Sequence, residues 1–253
     1  MIAGFYRGIK RLLPPTVRAV LSSLNQRLFA RGTLRRKYGD WFETDWRKKF
    51  RSMTDGEWKR AYDEAWKHRR NDCVEETDAQ LFLSALRPPG NVAEVGCGQG
   101  SLAIRLSQEG FKVTGVDVSA EALRLARINA ANNRSEITWI EGFAEHLPFR
   151  DKSFDYLTCA HALEHVRDLE AAVREFKRVT RKTIVVLTPK QEFKMYMDNY
   201  HTQFFDREEK LVRAFALTRY ECAEIDCAGR ENEFQGKAWF YVGHVDQDGS
   251  DNE

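Results

Sequence analysis

Several features that would place this chain in a common class are missing from it. Its five cysteines among 253 residues are odd in number and form no Cys-x-x-Cys pair, which indicates a reduced, intracellular protein without a cysteine zinc site. No apolar run reaches the roughly 20 residues that a membrane-spanning helix needs. No Gly-Lys-Ser/Thr motif is present, so the phosphate-binding loop of nucleotide hydrolases is excluded. The length fits one domain plus an extension.

Acidic residues are absent from residues 1–39, which carry nine basic residues, whereas the rest of the chain has a net charge of −7. Residues 2–13 and 17–28 place apolar side chains at helical spacing on either side of Pro14-Pro15. Such a basic amphipathic arm predicts contact with an anionic membrane surface. The alternatives are a helix packed on the domain, a mitochondrial transit peptide and an RNA-binding arm. The negative charge beyond the arm argues against nucleic acid as a partner.

Residues 40–88 have mixed charge and a helical pattern, and they contain four tryptophans (Trp41, Trp46, Trp58 and Trp66). We interpret this segment as a helical extension that forms a lid over a substrate cleft. The alternative is that the tryptophans anchor helices to the domain, which is the commoner use of large aromatic side chains. The run Arg87-Pro88-Pro89-Gly90 ends the segment and leads into the first strand.

The most informative feature of the sequence is a glycine-rich turn followed, at a fixed separation along the chain, by an acidic residue. The apolar run Val92–Val95 precedes glycines at 96, 98 and 100, and a second apolar run ends in Asp117, 21 residues after Gly96. This spacing is typical of a nucleoside site, in which glycines allow close approach and the acid binds the ribose hydroxyls. Glu94, two residues before the first glycine, suits a cationic ligand and would repel a pyrophosphate.

From residue 91 onward, apolar strand patterns alternate with helical ones, which predicts an α/β fold with a doubly wound sheet. The predicted strands are Val92–Val95, Lys112–Val116, Ile137–Glu141, Phe154–Ala160, Thr183–Thr188, Tyr220–Ile225 and Ala238–Val242. The predicted helices are Ser101–Glu109, Ala120–Asn132, Leu169–Val179 and Arg207–Phe215. We expect the domain to span residues 89–245 and the acidic tail, 246–253, to be disordered.

Three further motifs follow in order: Gly142–Phe149 (GFAEHLPF), Ser153–Tyr156 (SFDY) and Leu163–Val166 (LEHV). Together with the glycine motif, they resemble the class I S-adenosylmethionine-dependent methyltransferases, in their small-molecule, type 11-like branch, over roughly residues 75–245. The resemblance implies a Rossmann-like, seven-stranded sheet that is mostly parallel and ends in an antiparallel hairpin. It also implies a methyltransferase with S-adenosylmethionine as cofactor.

The resemblance assigns the cofactor-binding residues one by one. Gly96, Cys97 and Gly98 would line the methionyl portion, and Glu94 and the carbonyl of Ala160 would lie near its ammonium group. Asp117 would bind the ribose and Val118 would pack on the adenine, with Phe143 and Ala144 beside it. For Asp117 the alternative is a helix cap, and for Glu94 it is an ion pair with a nearby base.

One residue departs from the family pattern. Phe143 stands where the family usually has an aspartate that accepts a hydrogen bond from the adenine amino group. A phenyl ring cannot accept that hydrogen bond. The backbone N–H of Ala144 can still reach a ring nitrogen, and Glu145 is a substitute acceptor. The same departure leaves open a non-catalytic protein that has lost the cofactor and serves as a membrane-associated partner.

Methyl transfer to a hydroxyl group requires a residue that takes its proton. His161 and His165 follow the fourth strand, at the mouth of the sheet, and are the catalytic candidates. With Glu164 they form an i, i+3, i+4 set, which predicts one shared helical face, and His201 comes later in the chain.

This pattern also resembles two metal-using branches, the ubiquinone-biosynthesis O-methyltransferases and the small-RNA ribose methyltransferases. The implied metal ligands are His161, Glu164, His165 and His201, and such a set favours zinc, iron or manganese over magnesium. The alternative is that Glu164 and His165 only support the loop after the fourth strand.

The leading interpretation is O-methylation of a small-molecule acceptor, or of a lipid-linked or glycan acceptor, at a membrane. The protein would then be cytoplasmic and peripheral on the inner face of a membrane. The alternatives are a metal-assisted RNA ribose 2′-O-methyltransferase and the non-catalytic partner.

Overall fold

A computed structural model describes Pro14, Val17 and residues 29–69, 74–227 and 236–245. Most of the predicted amphipathic arm and the whole predicted tail, 246–253, lie outside these residues. Those two predictions therefore stay predictions.

The centre of the molecule is one seven-stranded sheet with the order β3-β2-β1-β4-β5-β7-β6. Strands β1 to β5 are parallel, and β7 pairs antiparallel with both β5 and β6. The seven-stranded, mostly parallel sheet with a terminal antiparallel hairpin is thus confirmed. The strands are β1 Asn91–Val95, β2 Lys112–Asp117, β3 Thr138–Glu141, β4 Phe154–Ala160, β5 Thr180–Pro189, β6 Arg219–Asp226 and β7 Lys237–His244.

Helices precede the sheet and connect its strands, and the predicted helical N-terminal region is confirmed for the described residues. None of the described helices is both long and apolar enough to cross a membrane. The helices are α1 Arg31–Tyr38, α2 Trp46–Lys49, α3 Asp55–His68, α4 Glu76–Ala85, α5 Ser101–Gln108, α6 Ala120–Asn132, α7 Leu169–Val179 and α8 Glu208–Phe215, with 3₁₀ turns at Phe50–Ser52 and Leu163–His165.

The two faces of the sheet bury separate clusters of apolar side chains, because successive residues of a strand point to opposite faces. Strand β5 shows this alternation: Ile184 and Val186 belong to one cluster, and Val185 and Leu187 to the other. All four side chains are fully buried. Burial on both faces explains why β5 reads as a continuous apolar run rather than an alternating one.

The chain divides into two compact units. In the first, which combines the described residues up to Lys49 with Lys194–Tyr200, the Tyr200 ring stacks on Phe42 and Trp46 at centroid distances of 4.9 and 4.4 Å. The indole N–H of Trp46 donates to the Tyr200 carbonyl at 2.8 Å. The second unit contains α3, α4 and the whole sheet. Trp41 and Trp46 therefore belong to one unit, and Trp58 and Trp66 to the other.

Candidate active site

The turn between β1 and α5 needs its glycines. Gly96 and Gly98 have φ angles of +75° and +52°, in the left-handed region that side chains disfavour. The N–H groups of Gly96 and Cys97 donate to the carbonyl of Val116 at 2.8 and 3.0 Å. A Cβ atom at Gly96 would lie 2.1 Å from the Cβ of Ala162. The glycine-rich turn is thus in direct contact with the loop that follows β4.

Asp117 ends β2 beside this turn. Its carboxylate is buried and accepts the N–H of Gly98 through Oδ2 and the N–H of Ser119 through Oδ1, both at 2.9 Å. Burial raises the pKa of Asp117 to about 6, although both backbone hydrogen bonds act to lower it. Each carboxylate oxygen has a second lone pair, so the group fits the ribose hydroxyls predicted from the sequence.

Glu94 is buried in β1 opposite Thr158 of β4. Burial, followed by the charges of Glu164 and Glu94, raises the pKa of the Cys159 thiol well above its usual range. Both carboxylates therefore lie within electrostatic range of one side chain in β4. Ala160 ends the same strand.

The segment after β3 lies next to Asp117, because the N–H of Gly142 donates to the Asp117 carbonyl at 3.0 Å. The Phe143 ring stacks on the His146 ring at 5.0 Å, and the Arg167 guanidinium lies 5.2 Å from the Phe143 centroid. Glu145, the predicted substitute acceptor, accepts the N–H of Arg167 at 2.7 Å through Oε1. That oxygen is bound to the backbone just before α7.

The loop after β4 gathers the histidine cluster, which we define as His161, Glu164, His165 and His201. The predicted shared helical face is wrong, because Leu163–His165 is a single 3₁₀ turn and His161 precedes it with φ +51°. The residues nevertheless meet: His161 Nδ1 and His201 Nε2 lie 3.9 and 4.0 Å from Glu164 Oε1. Glu164 therefore lies between two imidazoles.

Glu164 is held from the neighbouring strand. Thr188, near the end of β5, donates its hydroxyl to Glu164 Oε2 at 3.1 Å. Burial raises the pKa of Glu164 to about 8, so at neutral pH the folded protein favours the carboxylic acid over the carboxylate.

His201 joins the cluster because the residues after it are tied to the 3₁₀ turn. The N–H groups of Thr202 and Gln203 donate to the Glu164 carbonyl at 2.8 and 3.0 Å, and the Thr202 hydroxyl donates to the Val166 carbonyl at 2.6 Å. These bonds hold a residue that is 37 positions from Glu164 in the chain.

Glu164, His165 and His201 could also share one metal ion. One ligand atom from each lies within 4.8 Å of the others, and the rings of His165 and His201 meet edge to face at 4.7 Å. Two imidazoles and a carboxylate are a donor set that zinc, iron or manganese accepts. His161 lies near Glu164 but does not belong to this group of three possible ligands.

Sequence reasoning assigned residues 40–88 to a lid but did not identify which residues of α3 contact the site. The Tyr62 hydroxyl lies 3.0 Å from Nδ1 of His165, and Asp63 Oδ1 accepts the Ser119 hydroxyl at 2.7 Å. The Trp66 ring lies 2.8 Å from the position of a Cβ at Gly98. The spacing of four residues between Trp58, Tyr62 and Trp66 places these rings on one helix face. This spacing is the sequence feature that could have predicted an aromatic face of α3 at the site.

A family model described as a methyltransferase domain matches residues 93–187, which include the glycine-rich turn, Asp117 and the loop after β4. This part of the chain is thus similar to a methyltransferase domain. Solved structures show the same class I fold. A protein from Pyrococcus horikoshii has a TM-score of 0.56 at 20% identity and covers 68% of this chain and 89% of its own. An S-adenosylmethionine-dependent methyltransferase from Aquifex aeolicus has a TM-score of 0.53 at 17% identity and covers 67% and 90%.

Curated relatives match about a third of this chain. A ubiquinone biosynthesis O-methyltransferase from Klebsiella pneumoniae is 36% identical over 91 residues, which are 36% of this chain and 38% of the relative. The protein of the same name from Serratia proteamaculans is 39% identical over 84 residues, 33% of this chain and 35% of the relative. The match thus spans little more than a third of the length of these relatives.

Proposed function

We propose that this chain transfers the methyl group of S-adenosylmethionine to an oxygen atom of a small-molecule acceptor. The observation that carries the proposal is the contact between Gly96 and Ala162, which joins the predicted cofactor turn to the loop of the histidine cluster. The name of the curated relatives supports oxygen as the acceptor atom.

The first task of the domain is to hold and orient the cofactor, whose sulfonium group supplies an already activated methyl donor. Asp117 would accept the ribose hydroxyls, and Glu94 and the Ala160 carbonyl would receive the ammonium group. Gly96 and Gly98 leave room for the methionyl portion. Because the donor is activated, alignment of donor and acceptor accounts for much of the rate acceleration.

The second task is to take the proton of the acceptor hydroxyl. His161 and His165 are the proposed bases, since both lie in the loop that contacts the glycine-rich turn. Tyr62 fixes the orientation of His165 through Nδ1, which directs Nε2 away from α3. Glu164 lies between His161 and His201, within 4.0 Å of a ring nitrogen of each.

A metal-assisted version of this reaction is the second candidate, and the convergence of Glu164, His165 and His201 favours it. These three residues would hold one divalent ion, which would supply a positive charge for the developing alkoxide of the acceptor. Zinc, manganese and iron(II) are the metals that suit this donor set.

Metal analysis of the purified protein tests this version. We expect about one equivalent of metal after reconstitution with zinc, manganese or iron(II), and the content should fall in His201→Gln. His244→Gln is the matched control, because His244 lies at the end of β7 beside Thr183 and outside the cluster. Metal content well below one equivalent in the wild type, or equal losses in both variants, would contradict the metal site.

We further propose that the protein works at the cytoplasmic face of a membrane, on a lipid-linked or quinone-like acceptor. The support comes from the basic, acid-free residues 1–39 and from the described end of that arm. There, Arg35 and Arg36 of α1 are exposed and Phe29 is 64% exposed. Exposed basic side chains and an exposed aromatic ring in one short segment suit an anionic lipid surface.

Calorimetric titration with S-adenosylmethionine tests the central proposal. We expect micromolar binding by the wild type and a loss of about two orders of magnitude or more in Asp117→Ala, because two hydrogen bonds to a charged group are removed. Asp151→Ala, a change at an exposed acid, is the matched control and should bind as the wild type does. If the wild type showed no binding at millimolar ligand, the non-catalytic partner would replace the enzyme as our interpretation.

A further inference from the structure

The position of the adenine follows from the order of the strands. If Asp117 holds the ribose at the end of β2, the base is directed outward, toward the end of β3, because β3 is the next strand away from β1. The hydrogen bond from Gly142 N–H to the Asp117 carbonyl brings the segment after β3 beside that ribose. The side chains of this segment therefore decide how the base is recognised.

Phe143 is the first side chain at this place, and it offers no hydrogen-bond acceptor. Its ring is fixed by two contacts, a stack on His146 and the guanidinium of Arg167. Arg167 is held in turn by the Met53 carbonyl at 3.2 Å and by an ion pair with Asp55. The ring is thus part of a packed arrangement and not a loosely placed side chain.

The two acids next to Phe143 already have other partners. Glu145 Oε1 accepts the backbone N–H groups of Arg167 and Asp168 at 2.7 and 3.3 Å. Glu141, which is in register with Asp117, forms an ion pair with Lys59 of α3. These interactions fix where the two carboxylates lie, Glu145 against the backbone before α7 and Glu141 against Lys59 of α3.

We propose that, among the described residues, no side chain accepts a hydrogen bond from the exocyclic amino group of the adenine, so that the cofactor site tolerates purines changed at that position. The inference rests on the proposed function, since it concerns the same cofactor. The backbone N–H of Ala144 still recognises a ring nitrogen, which keeps the purine in place. Phe143 is the residue that determines this specificity.

The first test compares two ligands on the wild-type protein by calorimetry. One is S-adenosylhomocysteine, and the other is its 6-deamino analogue, which has a hydrogen in place of the amino group and keeps the ring nitrogens. We expect the two dissociation constants to differ by less than about threefold. A site with a charged acceptor would discriminate by about tenfold or more. A tenfold preference of the wild type for the amino ligand would overturn the inference.

The second test restores an acceptor. Phe143→Asp should raise the discrimination to about tenfold or more, and Phe143→Asn should raise it by a smaller factor. The asparagine variant is needed because Arg167 could pair with a new carboxylate at this position. Phe193→Asp, a change at an exposed ring, is the matched control and should leave the ratio unchanged. Thermal melting shows whether each variant is folded.

The outcomes separate this inference from the proposed function. If folded Phe143→Asp and Phe143→Asn both bind the two ligands equally well, position 143 does not face the base, and the inference is wrong while the cofactor site stands. If the wild type binds neither ligand at millimolar concentration, the proposed function fails and the inference falls with it.

Discussion

At the scale of the single residue, the charge of Asp117 is the property that links the fold to the proposed cofactor binding. Its pKa is raised to about 6 by burial, with the charge of Arg69 acting to lower it and that of Asp63 to raise it. In the proposed complex the ribose hydroxyls would donate to the ionised carboxylate, so the ligand would bind the deprotonated form. Below the pKa, that form becomes about tenfold scarcer for each pH unit.

The affinity for S-adenosylhomocysteine should therefore increase about tenfold from pH 5 to pH 7 and level off above pH 7. Calorimetry across this range, in buffers with different ionisation enthalpies, should also detect proton release near pH 6. Asp117→Asn retains every histidine and should bind more weakly, with no pH dependence in this window. An equal pH dependence in the variant would assign the titration to another group.

At the scale of the structural elements, the turn after β1 packs against the loop after β4, and the contact is made by the methyl group of Ala162. Gly96→Ala would place its Cβ 2.1 Å from that of Ala162, and it would also put a side chain at φ +75°. The overlap should cost about 1–3 kcal/mol of unfolding free energy, and the left-handed conformation a further 1–2 kcal/mol or so.

Exchanging the residues at positions 96 and 162, so that the side-chain methyl group moves from one to the other, tests this contact. The double variant Gly96→Ala with Ala162→Gly should recover the part of the loss that comes from the overlap and keep the part that comes from the backbone. Urea unfolding of the wild type, both single variants and the double variant measures the coupling, which we expect to be about 1–3 kcal/mol. If the two single variants changed the unfolding free energy additively, the loop after β4 would move away easily. The contact would then not couple the glycine-rich turn to that loop.

The strands and helices could be predicted from the sequence, whereas the conformation of the turn at residues 163–165 could not. The strand and helix segments predicted after residue 91 match the structure closely, since strand and helix patterns alternate there with different periods. The spacing His161, Glu164, His165 suggested an α-helix, but the chain forms a short 3₁₀ turn. Short-range spacing alone cannot distinguish these two turns, because the bonds from Thr202 and Gln203 to the turn come from residues far along the chain.

At the scale of the whole molecule, the proposed membrane contact depends on the asymmetry of charge between residues 1–39 and the remainder. The full chain should float with vesicles that contain phosphatidylglycerol and not with vesicles of phosphatidylcholine alone. Removal of residues 1–39 should abolish flotation and leave the affinity for S-adenosylmethionine unchanged, since the predicted cofactor residues lie between Glu94 and Ala160.

A charge-reversal variant, Arg35→Glu with Arg36→Glu, is the matched control for this deletion, because it keeps the chain length and changes two exposed side chains. We expect it to weaken flotation and to make the remaining binding less sensitive to salt. Flotation that persists without residues 1–39 would contradict the arm as the membrane-binding segment.

The sequence by itself determined the class of fold, the glycine-rich turn and the acid at the end of β2, because these depend on local patterns. Glycines at 96 and 98, an acid at the end of the next strand and alternating strand and helix periods each depend on a few neighbouring residues. Tertiary structure alone decided which distant groups meet. Tyr62 reached His165 and His201 reached Glu164 through packing between separate elements, and burial, not residue type, raised the pKa values of Asp117 and Glu164.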